Sequence, residues 1–415
     1  MIDFLRKPIA HYLAAAGVQA IVPYILLLVF ARIMSPDDFG QLIFLTSFSY
    51  LLAFVVAFGA PSYLSRTFVD DSKKVGALLD QIVGLMAVLA LGIAAIFCLF
   101  YVLGGRIFDF GLYWILGAVL LAFLRGVFYA CATIPQMAEN SILSAGMNIT
   151  FISLSGLVVC VLALTTNLGF GVRLTGELLV FGLLTFLLMA NRRRLFAFAA
   201  LQDAPKTSNR EILLSSVPIG LGLFVNTAFT TADRFLLSGF FDFETVAVYS
   251  FALQIAAVLG IFGQAGQLSY MPRIFQLTKK REIGQLSVIL ALLLVALIIC
   301  GFGLFFAFRF SLNFDLWGQY NSENPYLALT IIVIILNSYL VILTSMNIYL
   351  DQGKYILAIQ ICGLALNVGL SVALMPSFGP MAVLYGSISA GLTMIVATLV
   401  FSIKGMTGQP EKSTA

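Results

Sequence analysis

From Gly84 to Leu103 the chain runs through twenty residues without one charged side chain. At about 1.5 Å per residue such a run makes roughly 30 Å of helix, the thickness of the hydrocarbon core of a bilayer. The run is continuously apolar, whereas the strands of a membrane barrel alternate apolar and polar residues. It therefore reads as a spanning helix, which satisfies its own backbone hydrogen bonds in lipid. Comparable runs recur from end to end. Hydrophobic residues make up 61% of the chain and charged residues 10%, with a mean hydropathy of +1.03. A soluble globular protein carries about 25% charged residues, so a soluble enzyme is excluded. The formal charge of +4 is scattered between apolar runs and does not signal nucleic acid. Cys98, Cys131, Cys160, Cys300 and Cys362 all lie inside such runs, with no disulfide framework or metal-ligand spacing. The first run, from near Ile9 to Met34, lacks an A-x-A-like cleavage site and reads as a retained helix.

Segmenting on the polar breaks predicts spans at 9–34, 41–61, 76–104, 112–135, 141–166, 172–190, 212–237, 244–270, 284–308, 326–350, 355–376 and 379–403. The fold class is an all-α polytopic membrane protein of about twelve transmembrane helices in two six-helix lobes. The predicted domains are a lobe over 1–190, a cytoplasmic linker over 191–211, a second lobe over 212–403 and a tail over 404–415. With the amino terminus in the cytoplasm, 17 Lys and Arg residues fall on that side and five on the other (Arg32, Arg106, Arg173, Arg234 and Arg309), leaving Arg125 within a span. By the positive-inside rule both termini are cytoplasmic. No large outer loop and no G-x-x-x-x-G-K-[ST] string occurs, which argues against an enzyme or an ATP-driven pump.

The two halves resemble each other. Arg32 stands where the first span ends, and Arg234 matches it in the second half. The following spans close with Ser62-Tyr63-x-x-Arg66 and Ser269-Tyr270-x-x-Arg273, and the distances from Gly40 to Arg66 and from Ala247 to Arg273 are both 26 residues. Six spans per half makes the repeat parallel, with its axis along the membrane normal, and substrate sites in such transporters sit between halves. The stretch from Ala31-Arg32-Ile33-Met34 through Asp37-Asp38-Phe39-Gly40-Gln41, and the stretch from Thr231-Ala232-Asp233-Arg234 to Val248-Tyr249-Ser250, resemble the Wzx-like polysaccharide flippases of the multidrug/oligosaccharidyl-lipid/polysaccharide (MOP) exporter superfamily. The resemblance implies a bacterial inner-membrane transporter that moves an undecaprenyl-diphosphate-linked oligosaccharide from the cytoplasmic to the outer leaflet. It also implies partners among membrane lipids, a polysaccharide polymerase and chain-length proteins, and no cofactor beyond coupling to a proton or cation gradient.

Charges inside spans cost at least ~2.5–3.5 kcal/mol on insertion scales, so they mark candidate sites. Arg125 stands midway in the fourth span with no acidic residue within a turn. Facing a cavity, its guanidinium suits a diphosphate by charge-assisted bonds; pairing with Asp80 or Glu177 is the structural alternative. Arg66 and Arg273 form a second basic group at cytoplasmic ends, where anchoring is the alternative. Arg32 and Arg234 at outer ends either receive the head group or cap carbonyls. Asn226, Thr230 and Asp233 fall at i, i+4 and i+7 on one helical face that suits water and sugar hydroxyls, with interhelical hydrogen bonding as the alternative. Gln254 and Asn337, with Gln264, Gln267, Asn347, Gln360 and Asn367, add amides to the second half. Asp80, Glu177 and Asp233 are the candidates for energy coupling. A cation-coupled multidrug exporter of the same superfamily is the main rival reading, and a polysaccharide polymerase or ligase is the more distant one.

Overall fold

The computed structural model describes residues 8–70, 74–108, 110–138, 140–192, 208–350 and 353–408, and among these no strand occurs. The helices of the first half are α1 (Pro8–Ile33), α2 (Pro36–Ala57), α3 (Ala60–Asp70), α4 (Val75–Val102), α5 (Leu112–Met137), α6 (Ser141–Thr165) and α7 (Val172–Ala190). Those that follow are α8 (Asn209–Phe240), α9 (Phe243–Ala256), α10 (Val258–Lys280), α11 (Ile283–Ser311), α12 (Leu327–Tyr349), α13 (Gly353–Phe378) and α14 (Ala382–Gly408). Among the described residues ten segments are long and apolar enough to cross a membrane. The last of them, Lys354–Thr407, holds both α13 and α14, broken at Gly379–Met381, and the apolar Gly17–Ile33 part of α1 adds the first crossing. The predicted twelve spans are thus all present as helices.

The helix ends follow local chemistry. Ser35 caps α2 by accepting from the Asp38 amide at 3.1 Å, with Pro36 in the first turn. Asn140 caps α6 through the Leu143 amide at 3.1 Å, and Asp242 caps α9 through the Thr245 amide at 2.8 Å. Each satisfies an amide that the helix leaves without an internal partner.

The second span does not stop at residue 61. It breaks at Phe58 and Gly59, both left-handed (φ 40° and 78°), and resumes as α3. Only glycine fits at 59, because an added Cβ would meet the Ser216 carbonyl and the Gly220 backbone of α8. Gly220 in turn faces the Phe58 and Gly59 backbone, so two glycines let two main chains touch. The corresponding span of the second half is also divided, between α9 and α10.

The chain forms two compact units, Met1–Thr227 and Ala228–Ala415, so the division lies inside α8. Most of the expected linker 191–211, including Arg193, Arg194 and Lys206, lies outside the described residues, as does the tail beyond Gly408. Helix α14 already covers residues 404–408 of that expected tail. In the first unit α5 is central, packing on α2, α3, α4, α6 and α7. In the second α12 is central, packing on α9, α10, α11, α13 and α14. These are the fourth spans of their halves, so the repeat read from loops extends to helix packing. Gly386 of α14 lies against Asn367 and Ser371 of α13 and Ala390 is fully buried, so this small-residue pair serves packing within the chain.

Candidate functional site

In the first unit the fourth-span arginine is enclosed. Arg125 is 1% exposed. Its Nη2 donates to Glu177 of α7, and its Nη1 donates to the Ser49 hydroxyl of α2 at 2.9 Å. The guanidinium carbon lies 3.8 Å from the centroid of the Tyr50 ring. Arg173, one turn before Glu177, donates to the same carboxylate at 2.9 Å. Two guanidiniums therefore share one carboxylate, and Arg125 Nε is buried without a hydrogen bond. The expected cavity-facing diphosphate clamp is not the arrangement found. The alternative pairing with Glu177 holds instead, because α7 packs on α5 and brings a carboxylate 52 residues away in sequence beside the charge. A guanidinium in lipid needs such a partner more than it needs space. Glu177, expected as a coupling group, is committed to two cations. Asp80 is exposed and paired with Arg192.

In the second unit a cavity of about 430 Å³ opens between α8, α10 and α12. Thr230, Gln264, Gln267, Asn337 and Ser338 supply its polar lining, with no charged side chain. Gly260, Gly263, Gln264 and Gln267 recur at i, i+3, i+4 and i+7, so one face of α10 carries both the glycines and the amides. An added Cβ at Gly263 would collide with Ser338, so this glycine lets α10 approach α12 closely. Gln267 also donates to the Val341 carbonyl at 3.3 Å. Amides and hydroxyls present both donors and acceptors, which matches a polyhydroxylated ligand.

The polar face predicted on the seventh span divides. Asn226 is exposed and belongs to the first unit, Thr230 lines the cavity, and Asp233 turns inward. Asp233 is buried and accepts from the Tyr249 hydroxyl and, at 2.8 Å, from the Arg234 amide, so the water-facing position expected for it is not found. Arg234 reaches back to the Thr230 carbonyl at 3.3 Å, one turn earlier within α8 and away from the helix end at Phe240. Arg32, Arg66 and Arg273 are exposed, and Arg273 donates to Gln285 at 3.4 Å. Gln254 is half-buried and does not line the polar cavity, whereas Asn337 does. Asn347 and Asn367 are buried and bonded to Ser402 and to Ser371 and Ser387. Among the described residues no cluster of His, Cys, Asp or Glu has the makings of a metal site.

Comparison with solved structures places this fold. The MATE transporter VcmN of Vibrio cholerae matches at TM-score 0.60 and 15% identity, over 93% of this chain and 94% of that one. The MATE multidrug transporter DinF-BH matches at 0.66 and 13%, over 98% and 97%. An outward-facing multidrug-resistance MATE transporter of the MOP superfamily matches at 0.64 and 14%, over 99% of each chain. No curated protein sequence matches. At these identities the structures establish the fold alone, twelve membrane-spanning helices in two lobes. Residues 5–278 match the family described as polysaccharide biosynthesis protein, and the chain belongs to that family.

Proposed function

We propose that the protein flips undecaprenyl-diphosphate-linked oligosaccharides from the cytoplasmic to the outer leaflet of a bacterial inner membrane, with both termini cytoplasmic. The observation that carries this reading is the lining of the second-unit cavity: Thr230, Gln264, Gln267, Asn337 and Ser338, with no carboxylate. Sugar hydroxyls pair with such groups as donors and as acceptors. A cationic drug is better held by a carboxylate or an aromatic cage, and the lining has neither. Family membership points the same way. The exposed guanidiniums of Arg66 and Arg273 lie on the cytoplasmic side in this orientation, at the level of an inner-leaflet diphosphate. A proton or cation gradient supplies the driving force, and a polymerase with its chain-length protein receives the product.

The multidrug-exporter reading is favoured by one observation, the fold shared with MATE transporters. Measuring which leaflet holds the lipid-linked oligosaccharide in a deletion strain separates the two. Accumulation on the cytoplasmic leaflet supports flipping. Normal outer-leaflet units, with or without altered drug resistance, refute it.

A further inference from the structure

A second cavity in the same unit has the opposite character. About 510 Å³ in volume, it lies between α11 and α12 and has an almost wholly apolar lining. Leu294, Ile298 and Phe305 line it from α11 at i, i+4 and i+11. Arg309, at i+15, continues that face to the end of the helix, with its guanidinium carbon 5.9 Å from the centroid of the Phe305 ring. Gly301 forms the floor, where the two helices meet: a Cβ there would meet Ile335 Cδ1 at 2.8 Å and Ile331 Cγ2 at 3.1 Å. The groove is open to lipid, with Phe302 63% exposed.

From the other wall, α12 turns Ala328, Ile332 and Leu336 toward this groove and Asn337, Ser338 and Val341 toward the polar cavity. One helix thus has an apolar groove on one side and a saccharide-suited cavity on the other. Arg309 pairs with Glu323, and both side chains are more than half exposed. An exposed pair contributes little, so a more highly charged anion displaces Glu323 readily.

We propose that the α11–α12 groove, crowned by Arg309, is a binding site for the polyprenyl diphosphate of the carrier lipid, with its apolar chain along Gly301 and its phosphates on Arg309. The assignment rests on the flippase reading, and in the orientation given above Arg309 lies on the outer side, where the carrier is released. The almost wholly apolar lining suits a polyprenyl chain, and charge complementarity at Arg309 selects an anionic head.

The test uses the full chain in phosphatidylcholine nanodiscs, with a diazirine-bearing polyprenyl diphosphate as the probe and peptide mapping as the readout. Labelling is expected on α11 and α12, and it should fall about tenfold in Arg309→Gln, as for loss of one strong charge-assisted contact. It should fall at least as far in Gly301→Leu. Ile332→Trp, at a lipid-facing position, blocks the groove independently should Gly301→Leu fail to fold. Absence of labelling from α11 and α12, labelling there unchanged in the folded variants, or equal competition by phosphatidylglycerol (which would mean an ordinary annular lipid) overturns the site. Flipping of lipid-linked oligosaccharide is followed in wild-type vesicles in parallel. If flipping proceeds without groove labelling, the groove alone is refuted; if flipping is absent, the flippase reading fails.

Discussion

Replacing Glu177 with Gln removes the only carboxylate shared by Arg125 and Arg173. Arg125 is 1% exposed, so its charge has no route to water. Breaking a buried pair by deleting one partner costs about 3–5 kcal/mol, because the remaining charge stays buried. Deleting the other partner is a different operation. In Arg125→Gln the Glu177 carboxylate keeps Arg173 at 2.9 Å, and Arg173 is itself partly exposed. The loss is then mainly the cation–π contact over Tyr50, about 2 kcal/mol when desolvated, and the Ser49 bond is partly replaced by the amide. Glu177→Gln should therefore be the more damaging change. At about 2–4 °C per kcal/mol for a unit of roughly this size, it lowers the melting temperature by about 6–20 °C. The double variant Arg125→Gln/Glu177→Gln leaves the partly exposed Arg173 as the one charge of this network, and should be more stable than Glu177→Gln alone. Thermal unfolding of the purified variants in detergent, read as the monodisperse fraction, gives all three values and the coupling between the sites. Export by Arg125→Gln is expected to scale with the amount of folded protein. Arg125→Gln less stable than Glu177→Gln, a strictly additive double variant, or export lost at wild-type levels of folded protein would refute the assignment of Arg125 to the internal network.

Three further outcomes are expected. Gly59→Ala forces a Cβ into the Ser216 carbonyl at a left-handed backbone position and should cost more than the ~1–3 kcal/mol of strain alone, seen as a lowered melting temperature. Tyr249→Phe leaves the buried Asp233 without its hydroxyl donor and should destabilise by about 1–3 kcal/mol, measured the same way. Asp242→Ala removes the α9 cap, worth about 1 kcal/mol. The Thr245 hydroxyl and amide hold the Asp242 carboxyl below its ordinary value, so this contribution is complete above the unfolded pKa of about 3.9 and is lost as pH falls through the lower folded value. The wild-type advantage over Asp242→Ala should accordingly be constant at neutral pH and vanish in acid.

The spans were legible because apolar length and turn chemistry are local properties. Ser35-Pro36 and Gly379-Pro380 stop and start helices wherever they occur. The break at Phe58 was not legible, since a phenylalanine takes a left-handed conformation only because the Gly59 and Gly220 main chains meet, and that contact joins distant parts of the sequence. Arg125 was identifiable as exceptional, but its partner was not, because Glu177 is 52 residues away and its choice depends on which helix packs on α5. Asp233 was expected to face water on spacing alone; Tyr249, on the next helix, captures it. Thr230 and Asn337, polar residues within apolar runs, both line the second-unit cavity. Gly260, Gly263, Gln264 and Gln267 could have been added from their helical spacing, which was visible in the chain.

The two central helices occupy equivalent places in their halves but carry different chemistry. On α5 the polar groups are ionic and answer one another: Arg125 gives its terminal nitrogens to Glu177 and Ser49 and its face to Tyr50. With only Arg125 Nε left without a partner, this network has little capacity for a ligand, and exchanging its partners means exposing a charge to lipid. On α12 the groups are neutral and face open volume on one side and an apolar groove on the other. Neutral amides exchange water for ligand hydroxyls at less cost than charged groups do, so they suit a ligand that must be released as well as held. The repeat therefore preserves the packing role of the fourth span while separating the strongly bound charges from the exchangeable contacts. The polar cavity and the apolar groove on the two sides of α12 match the head and the tail of the proposed amphiphilic cargo, whereas the α5 cluster is closed by its own ion pairs.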